Sequence, residues 1–220
     1  MSAIRIKGLK AALASFDGAG FVTTAAQNIA QTFETAESLV ADPRIDAWRK
    51  AYGAIGAKPS KFRSSIEALA RRAVKGAPLS TDIPVVDLYN AVSLETLAPL
   101  GVYDAALLPS GGLALRCANP DQDQFNPLGA TADDFPLHKE LVVYAADNKV
   151  LCWGFNCRDS RDVCLSETTD EAVFFGEAAF AVQHEALRQA LTRLQTLFRE
   201  KGAECGAIET ASHATPSFSV

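Results

Sequence analysis

The densest group of side chains able to do chemistry is Asn156-Cys157-Arg158-Asp159-Ser160-Arg161, directly after the apolar run Val150–Phe155. Asn156 and Ser160 can donate and accept hydrogen bonds, and Arg158 or Arg161 can clamp an anion. A loop at a strand end is positioned by a rigid sheet, which suits it to function. The same residues equally suit a turn closed by an Arg–Asp pair and a backbone cap from Asp or Ser. The two readings carry equal weight. Cys157 lies near two arginines, Arg158 and Arg161, which could lower its pKa, although nucleophilic catalysis finds little support. A Cys–His site finds no support, because the three histidines, His138, His184 and His213, sit at no telling spacing. His184 reads better as a half-buried helix residue than as a base.

Other catalytic signatures are missing. There is no G-x-S-x-G elbow, no phosphate-binding G-x-x-x-x-G-K-[ST] and no G-x-G-x-x-G. Nucleotide triphosphates and dinucleotides are therefore not indicated, and no cofactor is expected. The five cysteines (117, 152, 157, 164 and 205) include no C-x-x-C pair, which argues against a structural zinc site, and no metal is expected. An odd number of cysteines at this density reads as reduced thiols rather than a disulfide framework.

Two further groups stand out. Asp87 and Asn90, three apart beside Tyr89, share one side of a helix; they could line a pocket, cap a neighbouring loop or be solvated. The segment Arg44–Lys75 carries nine basic residues against the two acids Asp46 and Glu67, near +7, while the rest of the chain is near −12. Such asymmetry suits a phosphate-contacting surface, with a solvated helix face slightly ahead on charge alone.

The elements that must position these groups are partly legible. Thr23–Tyr52 reads as helical with a boundary at Asp42-Pro43, and Trp48 and Tyr52 share one face as core residues. Ser64-Ser65-Ile66-Glu67 has the form of a capping box. Ile66, Leu69, Ala70, Ala73 and Val74 follow as a buried stripe, Arg71, Arg72 and Lys75 fall opposite, and Gly76 closes the helix. A second helix is predicted from Pro84 to about Leu97. After Gly101 the chain turns to β, with strands expected at Leu113–Cys117, Leu141–Ala145, Val150–Phe155, Val163–Leu165 and Ala172–Phe175 and a hairpin turn at Ala146-Asp147-Asn148. A long helix is predicted from about Glu177 to Lys201, and a small, polar, mobile tail from Ala207 to Val220.

Length and composition set the frame. The 220 residues are 48% hydrophobic with a net charge of −5, enough for one α+β domain over 1–206, its first 78 or so residues helical. No apolar stretch approaches the roughly 20 residues that span a bilayer, and no signal peptide is evident, so a cytoplasmic protein without a membrane partner is expected.

Beyond this, Val85-Val86-Asp87-Leu88-Tyr89-Asn90-Ala91-Val92 with Pro99-Leu100-Gly101-Val102-Tyr103-Asp104 resembles the V-V-D-x-x-N…P-x-H-A-[FY]-D run of the B3/B4 editing domain in the β subunit of bacterial phenylalanyl-tRNA synthetase. The spacing between the halves matches without a gap. The later order is similar too: a Gly-rich turn, a strand ending at Arg116, the turn Pro127-Leu128-Gly129, a strand pair, a loop ending at Ser160, and Thr168/Thr169 before a strand. Lys58–Ser65 is similar to freestanding members. The likeness spans roughly Trp48 to Glu177. It implies an α+β editing-domain fold with a mixed or antiparallel sheet, packed helices, N-terminal helices and a long C-terminal helix.

What the resemblance implies functionally is hydrolysis of a wrongly attached amino acid from the 3′ end of a tRNA, without metal. Carried over by position, Tyr89, Asn90, Gly101, Asn156, Arg158, Asp159 and Glu177 border the pocket, with Gly176 competing with Glu177 for the place of the specificity glutamate. Lys58, Lys61, Arg63, Arg71, Arg72 and Lys75 would contact tRNA rather than DNA. Two positions depart from the family: its motif histidine is Gly101 here, and the arginine before V-V-D is Ser80. The resemblance supports a trans-acting aminoacyl-tRNA deacylase; the departures support a module that binds an amino acid, a small amino compound or tRNA without hydrolysis. An unrelated hydrolase using Cys157 is the third reading.

Overall fold

A computed structural model describes residues 1–81 and 83–220. The chain begins not with a helix but with β1 (Ser2–Lys7), followed by α1 (Leu9–Leu13), α2 (Gly18–Thr32), α3 (Ala36–Val40), α4 (Pro43–Ala54), α5 (Ser65–Val74) and α6 (Pro84–Thr96). The β region holds β2 (Leu100–Asp104), β3 (Ala114–Cys117), β4 (Gln124–Phe125), β5 (Val142–Ala146), β6 (Lys149–Trp153), β7 (Arg158–Asp159) and β8 (Glu171–Gly176). It is followed by α7 (His184–Glu200), β9 (Glu204–Cys205) and β10 (Glu209–Thr210).

Helix boundaries follow local chemistry. The Asp42 side chain accepts from Arg44 N, with Pro43 in the first turn, which starts α4. Ser64 Oγ accepts from Glu67 N at 3.3 Å and starts α5. The reciprocal half of the expected capping box is not formed, because the Glu67 side chain turns to arginines instead. Gly76, at φ 68°, reverses the chain after α5, a conformation that costs other residues more than glycine.

The strands form two sheets rather than one. The first runs β10-β1-β8-β2, with β9 also on β1; the second runs β3-β5-β6-β4, with β7 on β6. Among the described residues all strand pairings are antiparallel except β4 with β6. Val163–Leu165, expected as a strand, is instead the end of a 3₁₀ turn and the extended chain after it. Its short apolar content buries Val163 without pairing. Helix α7 starts later than predicted, because Ala181–Gln183 is a separate 3₁₀ turn.

Alternation along the strands separates three apolar clusters. Val143, Ala145, Val150 and Trp153 face helices α2 to α5. Ile4, Ile6, Val102, Ala172 and Phe174 face α1, α6 and α7. Between the sheets lie Ala3, Tyr103, Tyr144, Ala146, Leu151, Cys152, Val173 and Phe175. A fully buried ring such as Phe174 contributes about 1.5–3 kcal/mol. The tail is held in part: Glu209–Thr210 pair with Ser2–Ala3, and Phe218 packs against the cluster between the sheets. Its polar composition gave no sign of either.

Candidate functional site

The loop after β6 is the centre of a buried polar group. Gly154 and Phe155 both have positive φ, 62° and 58°, and this tight reversal lets the next residues alternate in direction. Asn156 turns inward, where its Nδ2 donates to Glu177 Oε2 at 3.0 Å and its Oδ1 accepts from Tyr52 Oη at 3.1 Å. Tyr52 Oη also lies against the Gly154 carbonyl. The Asn156 carbonyl accepts from Ser65 N at 3.1 Å, which ties the start of α5 to the loop. Asp159 turns inward as well, and its Oδ1 accepts from Tyr103 Oη at 3.3 Å.

Burial sets the electrostatics here. Glu177 is 5% exposed, and loss of water pushes its carboxyl up to about 7, against hydrogen bonds from Asn156 and Tyr144 that pull it down. Its Oε1 and Tyr144 Oη form no well-aligned bond, although the hydroxyl sits close enough to act on the carboxyl. Burial raises the Asp159 carboxyl too, against Cys152, Tyr103 and Arg158. Tyr52, Tyr103 and Tyr144 are all held well above the usual phenol range, mainly by burial.

Cys157 and Arg158 turn the other way and line a surface groove of about 510 Å³ with Lys61, Phe62, Arg63, Arg71, Arg72, Lys75, Asp134 and Phe135. Six cations thus face one acid. Arg158 lies over the Phe135 ring at 5.2 Å and donates to the Leu128 carbonyl at 3.2 Å; Lys61 lies over Phe62 at 4.9 Å. Cys157 is not the activated thiol its arginine neighbours suggest. Burial pushes it up to about 11, outweighing Arg158 and Arg63, so the neutral thiol prevails at pH 7.

The predicted residues therefore divide. Asn156, Asp159 and Glu177 meet in the buried group, and Arg158 joins the groove with Lys61, Arg63, Arg71, Arg72 and Lys75. Lys58 is exposed and does not line the groove. No hydrogen bond links half-buried Asn90 to the Asn156 group. Tyr89 packs edge-on against Phe174 at 6.5 Å, on the opposite face of β8 from Phe175. Asp87 is 1% exposed and caps the preceding segment: Ser80 Oγ donates to its Oδ2 at 2.9 Å and Thr81 N to its Oδ1 at 2.7 Å. Tyr52, Tyr103, Tyr144 and Cys152 were absent from the expected site. The packing of the two sheets brings in Tyr103, Tyr144 and Cys152, and the packing of α4 on the loop after β6 brings in Tyr52, and no spacing signals either.

These features sit on a chain whose family is known. The B3/4 domain family model matches residues 47–212. The chain belongs to the B3/4 domain family. No curated protein matches it. The matched span includes the groove, the buried polar group and Gly101. Gly101 pairs with Phe175 across β2 and β8, and a Cβ at 101 would sit 2.5 Å from Phe175 Cζ. Phe175 cannot swing aside freely, since its ring lies 4.5 Å from Tyr103 and 5.9 Å from Tyr144. An aromatic ring over a glycine on an edge strand is a known way to stabilise such a position. In this B3/4 domain it fills the space that a larger residue at 101 would need.

Gly101→Ala is accordingly expected to destabilise the fold by about 1–3 kcal/mol through overpacking. Adding Phe175→Leu should recover part of that loss. Urea denaturation of both single variants and the double variant measures the coupling, and strict additivity would show that the ring is not the obstacle.

Proposed function

We propose that this chain is a cytoplasmic trans-acting deacylase that hydrolyses mischarged aminoacyl-tRNA. One observation carries the reading. The loop 154–160 lines a cationic groove with Cys157 and Arg158, and reaches a buried carboxyl and amide with Asn156 and Asp159. A polyanionic substrate whose reactive ester sits at its end calls for such an arrangement, with phosphates held outside and the acyl group presented inward. Groove cations hold the phosphates, and Asn156 with Glu177 shapes the acyl side. Water adds to the ester carbonyl, the bond to the ribose oxygen breaks, and that oxygen takes a proton. The step needs donors near the developing oxyanion and a pocket that rejects the correct amino acid.

Incubation of the purified protein with a panel of mischarged tRNAs tests this. Release of at least one amino acid well above buffer is expected. Folded protein that releases none sinks the proposal.

A second reading has its own support in the Phe175 ring, which fills the space over Gly101 where the family motif has histidine. On that reading the domain binds an amino acid, a small amino compound or tRNA without hydrolysing anything. Stabilisation by free amino acids in a thermal-shift screen, with no effect of tRNA and no deacylation, favours it over the first.

A further inference from the structure

Glu67 is 1% exposed, yet arginines from three stretches of chain converge on it. Its Oε1 lies 2.8 Å from Arg49 Nη1, 2.8 Å from Arg71 Nε and 3.7 Å from Arg63 Nε. Arg49 comes from α4, Arg63 from the turn before α5, and Arg71 from α5 itself. Arg63 and Arg71 are also groove residues. Three guanidiniums held this close repel one another, and a single buried carboxylate between them offsets that repulsion. It leaves two of their three charges uncompensated. Glu67 Oε2 and Arg63 Nε have no hydrogen-bond partner among the described residues, so the cluster is not a closed ion pair.

The sequence reads Glu67 as the second half of a helix cap. Its carboxyl instead points at the arginines, while Ser64 caps the helix alone. A buried acid directly beneath an anion groove looks like an obstacle to anion binding. The geometry argues the reverse, because fixed guanidiniums lose less freedom on meeting a phosphate than mobile ones.

We infer that Glu67 is a positioning residue for phosphate recognition, holding Arg63 and Arg71 in the orientation that a polynucleotide backbone requires. This rests on the proposal that the groove receives tRNA. It makes a prediction opposite in sign to simple electrostatics: removing this negative charge weakens binding of a polyanion.

The test uses the full chain, 5′-labelled unacylated tRNA and fluorescence anisotropy over a salt series. Glu67→Gln is expected to bind about tenfold more weakly than the parent despite its gain in net charge. The dependence of affinity on salt should become shallower by about one unit in the log–log slope, because one phosphate contact is lost. A purely structural role would lower the melting temperature and leave that slope unchanged. Arg71→Lys, which keeps the charge and the buried acid, covers the case in which Glu67→Gln fails to fold. It should bind several-fold more weakly, also with a shallower slope. A Glu67→Gln variant that binds as tightly as the parent or more tightly, or an Arg71→Lys variant with unchanged affinity and slope, overturns the inference and leaves the groove proposal standing. A parent protein that binds no tRNA overturns both.

Discussion

Glu177→Gln should make the protein more stable by about 3 kcal/mol at pH 8 and change it little at pH 5. The carboxyl is held at about 7 in the fold against an ordinary value of 4.5. The folded state therefore binds the proton more tightly than the unfolded chain. Stability from this group is fully present below about pH 4.5 and is lost as pH rises through 7, each tenfold difference in proton affinity between the two states being worth about 1.4 kcal/mol. Glutamine keeps the shape and removes the titration. Its amide oxygen can still accept from Asn156 Nδ2, and its amide nitrogen can donate to Tyr144 Oη, which lacks a well-aligned partner. Asp159, also raised by burial, leaves a residual slope of the same sign. Urea midpoints at the two pH values measure the effect; a variant no more stable than its parent at pH 8 refutes the account of Glu177.

Reversing the exposed charges of the groove should have the largest effect on binding. Lys61, Arg72 and Lys75 are exposed, and in none of them does the charged group contact a buried carboxyl. Lys61→Glu, Arg72→Glu and Lys75→Glu together should leave the fold intact and lower tRNA affinity by about a hundredfold or more, at about 1–1.5 kcal/mol or more for each charge-assisted contact. The salt slope should fall by about three. If the deacylase proposal holds, kcat/KM on a mischarged tRNA falls with it, mainly through KM. Unchanged affinity with a native circular dichroism spectrum rules the groove out as the nucleic-acid surface.

Local chemistry explains what is legible in the sequence. Asp42-Pro43, Ser64 and Pro84 mark helix starts through groups that act within a turn of themselves, and those three boundaries lie close to their predicted places. The basic face of α5 is equally plain, since it is a property of one helix. The resemblance assigns Arg158 to the amino-acid pocket, because nothing local shows that β6 and its loop bring it beside Arg63 and Arg71. The inward group is harder still. Tyr144 lies within Val142-Val143-Tyr144-Ala145-Ala146, which reads as an apolar strand, and Tyr52 reads as core beside Trp48. Both readings of burial are right, but the Tyr144 hydroxyl finds its neighbours only through the packing of two sheets, and the Tyr52 hydroxyl only through the packing of α4 on the loop after β6. Asn90, placed by the motif beside the same pocket, makes no hydrogen bond to this group.

The placement of β1 bears on how the chain reaches this state. Ser2–Lys7 is made well before its partners β8, β9 and β10; Ser2 Oγ bonds Thr210 Oγ1 across 208 residues. During synthesis the helices α2 to α5 can collapse on one another while β1 waits with both edges unpaired. The first sheet closes only when the C-terminal third of the chain has emerged. Such closure carries a large entropic cost before any contact rewards it, so this sheet should set the folding rate and the window for aggregation.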